Sequence, residues 1–418
     1  MTSSVTHTIE GTKASPPTAK DYLVATPVVM AATINLWKVQ SLRELVPLDL
    51  TLLSFGITAI LVLISATHSP RFSKHAVVLL ALLACLLPGA IISSGSHPYA
   101  VQKSISLFTL VPLLILAGIQ LIDTPQRRQA FIHVLGLIGL MVALALEAGG
   151  TATVASPDRI GLQDGNVIGL ARVCSLSAIC LALAKVRGVG RLATVAGAGI
   201  CLHAASTTGS RGPILSAVLA LIIVLFLKGR SRRATRAERI IPLALTAIVV
   251  WQVGPGSRLL TAYGSESDLV RMDLVGESFK IFAANPLGVG WGDFVLHMPL
   301  GLRLDGQGWN QYPHNVAAEA AVEGGVFAII GLGAIVMVAT HRLWRLQTSE
   351  AAASLALLIA AAAAALTSSD LTGNRTMWIF IGIGLAAGDR TAHGFTVFSR
   401  KPGSQVARRE RLRQTARF

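Results

Sequence analysis

Apolar runs of about 20 residues recur along almost the whole chain, and that length crosses a bilayer core as a helix. Composition agrees. Of 418 residues, 52% are hydrophobic and only 14% charged, whereas a soluble domain carries about 25% charged residues. The fold class is therefore an all-α polytopic membrane protein. Twelve runs are expected to span, at residues 22–36, 48–66, 76–93, 105–122, 131–146, 167–184, 192–207, 213–227, 240–253, 315–340, 352–366 and 376–387. The shorter ones lean on flanking residues or a thinned bilayer. Residues 1–21 lack the basic and apolar regions of a cleavable signal peptide, so the first run is expected to act as an uncleaved anchor.

Charge fixes the orientation. The segments SPRFSK, PQRRQ, KVRGVGR, KGRSRRATRAER and HRLWR, with both terminal segments, hold about 25 of the 36 basic residues. They alternate with basic-poor loops, as cytoplasmic and outer loops do. Both termini are expected in the cytoplasm. The predicted organisation is a cytoplasmic segment 1–21, nine helices in 22–253, an outer loop 254–313, three helices in 314–388 and a basic cytoplasmic tail 389–418. The net charge of +15 is then topology, met by anionic membrane lipids, and no nucleic-acid partner is implied. Cys85, Cys174, Cys180 and Cys201 all fall in apolar runs without metal-binding spacing, so neither a disulfide nor a zinc site is expected.

The long outer loop carries its own helix signal. Leu269, Met272, Val275, Phe279 and Phe282 recur at helical spacing, and Ser265 with Asp268 resembles a capping box. This predicts an amphipathic helix lying on the outer membrane surface, ended by Asn285–Pro286 and followed by the glycine-rich turn GVGWGDF.

Polar residues gather at the outer ends of the runs. Asp158 and Arg159 lie in SPDRIGLQDGN, Arg211 in TTGSRGPIL, Arg271 on the surface helix, and Arg375 in SSDLTGNR. Any one arginine can snorkel to headgroups. A cluster on the basic-poor face implies an anionic ligand instead, because the planar guanidinium donates paired hydrogen bonds to phosphate. Arg211 precedes a helix whose first residue is expected to be Pro213, so the helix N-terminus would act on the same anion.

The stretch QYPHNVAAEAAVEGGVF, residues 311–327, adds a histidine at a helix mouth. Pro313 suits the first turn, and the helix dipole disfavours the cationic form of His314 there. A neutral imidazole can accept a proton, as a general base must. The bland alternative is a histidine hydrogen-bonded at the interface. Gly325, with Ala318 and Ala321 near its stripe, is expected to admit a neighbouring helix. Glu319 and Glu323 lie on another face and are expected to bond interior groups such as Arg172.

These residues resemble the O-antigen ligase and polymerase superfamily. RGPIL, from Arg211, fits the ligase pattern of arginine, three residues, leucine; HNVAAEAAVEGG, from His314, fits histidine, ten residues, glycine. NPLGVGWGDF resembles the family's glycine-rich approach to that histidine. The polymerase pattern of arginine, ten residues, glycine is missed at Arg159, where Gly169 follows after nine.

The resemblance implies an inverting transferase in the bacterial inner membrane, with its site on the periplasmic side. A polysaccharide on undecaprenyl diphosphate would pass to a sugar hydroxyl of lipid A–core, without metal, cofactor or nucleotide hydrolysis. His314 would be the base and Arg211, Arg159 and Arg271 the diphosphate ligands, with Asp158, Arg375 and Asn315 nearby. The alternatives are the related polymerase or another glycan transferase of the superfamily, and a secondary transporter of an organic anion. The transporter is disfavoured because its site would lie near the bilayer midplane.

Overall fold

The computed structural model describes residues 15–33, 36–37, 46, 48–68, 72–153, 156–162, 165–184, 186, 188–229, 266–299, 312–346 and 348–387. Its helices, in chain order, are α1 (Ala19–Ala32), α2 (Leu50–His68), α3 (Phe72–Ile92), α4 (Pro98–Leu121), α5 (Pro125–Gly149), α6 (Val167–Leu183), α7 (Val189–Thr207), α8 (Arg211–Gly229), α9 (Glu266–Ala284), α10 (Phe294–His297), α11 (Val316–Arg345), α12 (Ser349–Ala365) and α13 (Arg375–Ala386). Eleven of the twelve expected runs fall on helices among the described residues; the run 240–253 lies outside them, as does Ser265 of the expected capping box. Six helices, α2, α3, α4, α5, α7 and α11, are long and apolar enough to cross a membrane. α6, α8, α12 and α13 are shorter apolar helices.

Among the described residues one feature is not helical. The outer loop after α5 forms an antiparallel hairpin of β1 (Thr151–Thr153) and β2 (Ser156–Gly161), in which Thr151 pairs with Gly161 and Ala152 with Ile160. Thr151 and Thr153 suit a strand, and the short hairpin carries Arg159 toward the end of α7.

The core runs through the middle of the bundle. α13 packs along α4, α12 against α8, α6 between α5 and α7, and α11 against α3. Trp378 and Phe380 of α13 are buried with Leu107, Leu114 and Ile115 of α4. The outside is apolar too. Leu52 is 72% exposed, Leu63 66% and Leu80 63%. A soluble protein rarely leaves so much contiguous apolar surface bare; on these helices it is the surface that meets lipid.

α9 packs on α11 through Leu274, Ser278 and Ile281, joined by Val289, Phe294 and Met298. Three residues of the expected apolar stripe, Leu269, Met272 and Phe279, stay exposed on the other side. The helix thus has a second apolar face, directed away from the protein.

Candidate active site

The site is built around the start of α11. Asn315 caps this helix, its Oδ1 accepting from Ala317 N at 3.0 Å and Ala318 N at 3.1 Å. Its side-chain oxygen is thereby engaged in holding the start of the helix. Pro313 lies two residues before the cap, so the helix starts later than expected. His314 sits just outside it with a φ of +57°. A side chain in this left-handed region is uncommon and costs about 1–2 kcal/mol, so the surroundings must hold it. The imidazole lies against the Tyr312 ring, centroids 4.4 Å apart. Tyr312 neighbours Tyr99 at 6.4 Å, and Tyr99 neighbours His97 at 6.2 Å. Beside this series of rings an open groove of about 700 Å³ runs along the outer end of α4, lined by Ser96, His97, Val101, Gln102 and Ile105.

The ten residues between His314 and Gly325 cover one uninterrupted piece of helix. At Gly325 (φ +74°, ψ −169°) α11 breaks. Only glycine adopts that conformation readily. What approaches there is not another helix, as the small residues suggested, but the glycine-rich turn. Val289 N donates to Val322 O at 2.9 Å, Gly290 N to Glu323 O at 3.0 Å, and Val326 N to Pro286 O at 2.9 Å. The break frees carbonyls that the turn's amides then satisfy, as backbone at membrane depth requires. Gly288, Gly290 and Gly292 all have positive φ, which lets the turn lie flat against α11 and α3. Trp291, wholly buried, donates its indole N–H to Leu86 O and its backbone N–H to Gly89 O, on either side of Pro88. Asp293 accepts from Ser94 N at 2.6 Å and stands 3.5 Å from His97 Nε2.

Glu319 and Glu323 have a partner the sequence reading missed. The Lys103 ammonium of α4 lies 2.6 Å from Glu319 Oε1 and 2.5 Å from Glu323 Oε2, and all three side chains are fully buried. Glu319 also accepts from Leu371 N at 2.9 Å, and Glu323 from Gly292 N at 2.9 Å. Arg172, the expected partner, points elsewhere. Its Nη2 donates to Ser368 O at 2.7 Å, Ser368 Oγ at 2.8 Å and Ala364 O at 3.3 Å, fixing the turn after α12. Lys103 stands two residues before the expected run 105–122, and the helix extends back to Pro98 and draws it inside, where an ionisable residue demands a buried partner.

The arginines divide. Arg211 is the first residue of α8, two positions earlier than Pro213 suggested. The stem of Arg159 lies over Gly209, its Cγ 3.2 Å from where a Cβ would sit, so both arginines flank one turn. Arg159 Nε is buried there without a hydrogen-bond partner. Gly212 of the same turn abuts Thr367, which joins α8 to the turn held by Arg172. Asp370 in that turn accepts from Thr372 Oγ1 at 2.6 Å and faces the Tyr99 hydroxyl at 3.5 Å. Burial pushes the Tyr312 hydroxyl up to about 12; Asp370 and Glu319 push the same way, while Lys103 and Arg271 oppose them. Arg375 lies instead over the Phe55 ring of α2, 5.1 Å from its centroid. The Asp158 side chain falls outside the described residues.

The fold and site thus define a multi-pass helical membrane protein whose ionisable and aromatic groups gather around the N-terminal mouth of one broken helix. A family model described as O-antigen ligase matches residues 196–333, and this supports membership of the O-antigen ligase and polymerase superfamily. That family is one of glycosyltransferase-like enzymes acting on lipid-linked polysaccharides. The match takes in Arg211, Arg271, His314 and Gly325, but not Lys103, Arg159 or Asp370. No curated protein matches the chain.

Proposed function

We propose that the protein is an O-antigen ligase of the bacterial inner membrane. It transfers a polysaccharide from undecaprenyl diphosphate to a sugar hydroxyl of lipid A–core on the periplasmic side. One observation supports this reading: the turn 209–212, which carries Arg211 and lies under Arg159, touches Thr367 of the turn 367–370, and Asp370 of that turn faces Tyr99, beside Tyr312 and His314. Arg271 bears on Tyr312 from the α9 side.

In this mechanism Arg211, Arg159 and Arg271 bind the diphosphate by charge-assisted hydrogen bonds. The N-terminus of α8 adds its dipole. The acceptor hydroxyl gives its proton to His314 as its oxygen attacks the anomeric carbon. The bond from that carbon to the diphosphate oxygen breaks, its electron pair leaves with the phosphate, and the configuration inverts. The arginines are worth most as charge grows on the departing oxygen. A diphosphate leaves readily, so no separate general acid is required. The groove along α4, where Val101 and Ile105 alternate with Ser96, His97 and Gln102, suits an amphiphile.

The test is transfer in vitro from a purified lipid-linked glycan to lipid A–core, with EDTA present, for wild type and for the Arg211→Ala and His314→Ala variants. Capped lipid A–core supports the ligase; lengthened carrier-linked chains would make the protein a polymerase. Anion uptake into vesicles without glycan transfer would overturn both. The base role also demands that activity rise with pH as one imidazole loses its proton. Tyr312, pushed up to about 12 by burial, stays neutral through that range.

A further inference from the structure

The transfer mechanism makes no use of Lys103, yet its ammonium is among the most enclosed polar groups of the bundle. It is fully buried on α4 between two carboxylates of α11. Each carboxylate does a second thing. Glu319 accepts the backbone N–H of Leu371, beside Asp370, and Glu323 accepts that of Gly292, in the turn that fills the break of α11. One cation therefore joins four segments: α4, the outer half of α11, the turn after α12 and the glycine-rich turn. One turn above Lys103 on α4 stands Tyr99, whose ring lies 5.3 Å from the ammonium and borders Tyr312, the ring that touches His314.

We infer that Lys103 is a positioning residue for the transfer reaction: through Glu319 and Glu323 it sets the outer half of α11, and with it His314, against the two turns that wall the site. This rests on the ligase reading above. Two physical arguments support it. Buried ionic groups are poor stabilisers, because their desolvation offsets their attraction, but they are directional and admit few arrangements. A plain apolar contact at this point could be served by a leucine; fixing two separate backbone N–H groups through the two carboxylates could not. Lys103 is also unsuited to hold the diphosphate itself, being closed off from the surface and already flanked by two anions. A reacting group displaced by about 1 Å can lose about 10²-fold in rate, so small slippage of α11 suffices to show in kcat.

The test uses the full-length protein in detergent and two variants: Lys103→Met, and the triple variant Lys103→Met, Glu319→Gln, Glu323→Gln. The triple variant removes every charge while leaving an acceptor for Leu371 and for Gly292, so it should unfold at a temperature close to wild type. Its kcat is expected to fall about 10²-fold, with the donor KM unchanged. Amide hydrogen exchange supplies a second measurement that needs no activity. In Lys103→Met, Leu371 and Gly292, far apart in sequence, should both exchange about tenfold faster or more. Wild-type kcat in the triple variant would overturn the inference. So would a raised donor KM at unchanged kcat, which would make Lys103 a substrate ligand. So would unchanged exchange at both amides in Lys103→Met. If the wild type transfers nothing to lipid A–core, the ligase reading fails, and exchange alone decides whether the ammonium braces the two turns.

Discussion

The two halves of α11 are one helix by name and two by construction. From Val316 to Gly324 every residue except Ala317 is buried, and both acids lie there. From Val326 to Arg345 buried and exposed positions alternate at helical spacing, with Phe327, Ile330 and Met337 facing out and no ionisable group before His341. The inner half is an ordinary lipid-facing span, and lipid tolerates many apolar side chains there. The outer half is surrounded by protein on every side and is held by directional contacts: the Asn315 cap, the Lys103 ion pairs, and the amides of Val289 and Gly290. Gly325 separates the two regimes. A stretch that must hold a histidine is made rigid by polar ties, and a stretch that must merely span the membrane is not.

That contrast can be broken most directly at its boundary. Gly325→Val places a branched side chain at φ +74° against Leu287 and Gly288, and little folded protein is expected; size-exclusion chromatography in detergent reads this. Gly333, in the inner half, has open space where a Cβ would go, which makes it the matched control. Next in size is His314→Ala, which should lose between about 10² and 10⁴ of kcat while unfolding at the wild-type temperature. A large fall in melting temperature would recast the histidine as structural. Asn315→Ala should cost about 1 kcal/mol through the lost cap, seen as a modest fall in melting temperature with transfer retained; complete loss of transfer in a folded protein would put Asn315 in the catalytic set. Smallest of all, Gly333→Ala should change stability by no more than about 1 kcal/mol, in the stabilising direction, and leave transfer untouched. A large effect there would erase the distinction between the halves.

The sequence spoke clearly where one physical requirement dominates. A long apolar run in a bilayer must be a helix, and eleven expected runs fall on helices. His314 and Gly325 were legible as a pair through their spacing, but the reason was not: counting turns assumes an unbroken helix, and the break at Gly325 arises from a segment some 35 residues upstream. Lys103 was passed over because the acids it pairs with lie on a run more than 200 residues away. The spacing on α9 showed one apolar face but not the second: beside a bilayer protein and lipid are both apolar, so Leu274 and Ile281 could go one way and Leu269 and Phe279 the other.

The glycine-rich turn also bears on how the bundle is assembled. Residues 72–92 and 286–293 are synthesised before 316–345, and the turn touches both helices. The carbonyls of Val322 and Glu323, which the break would leave bare, meet donors from a segment that precedes them in the chain and is itself tied to the earlier helix. The order of the chain thus places the donors ahead of the helix that needs them, and backbone that hydrocarbon could not satisfy is closed by protein.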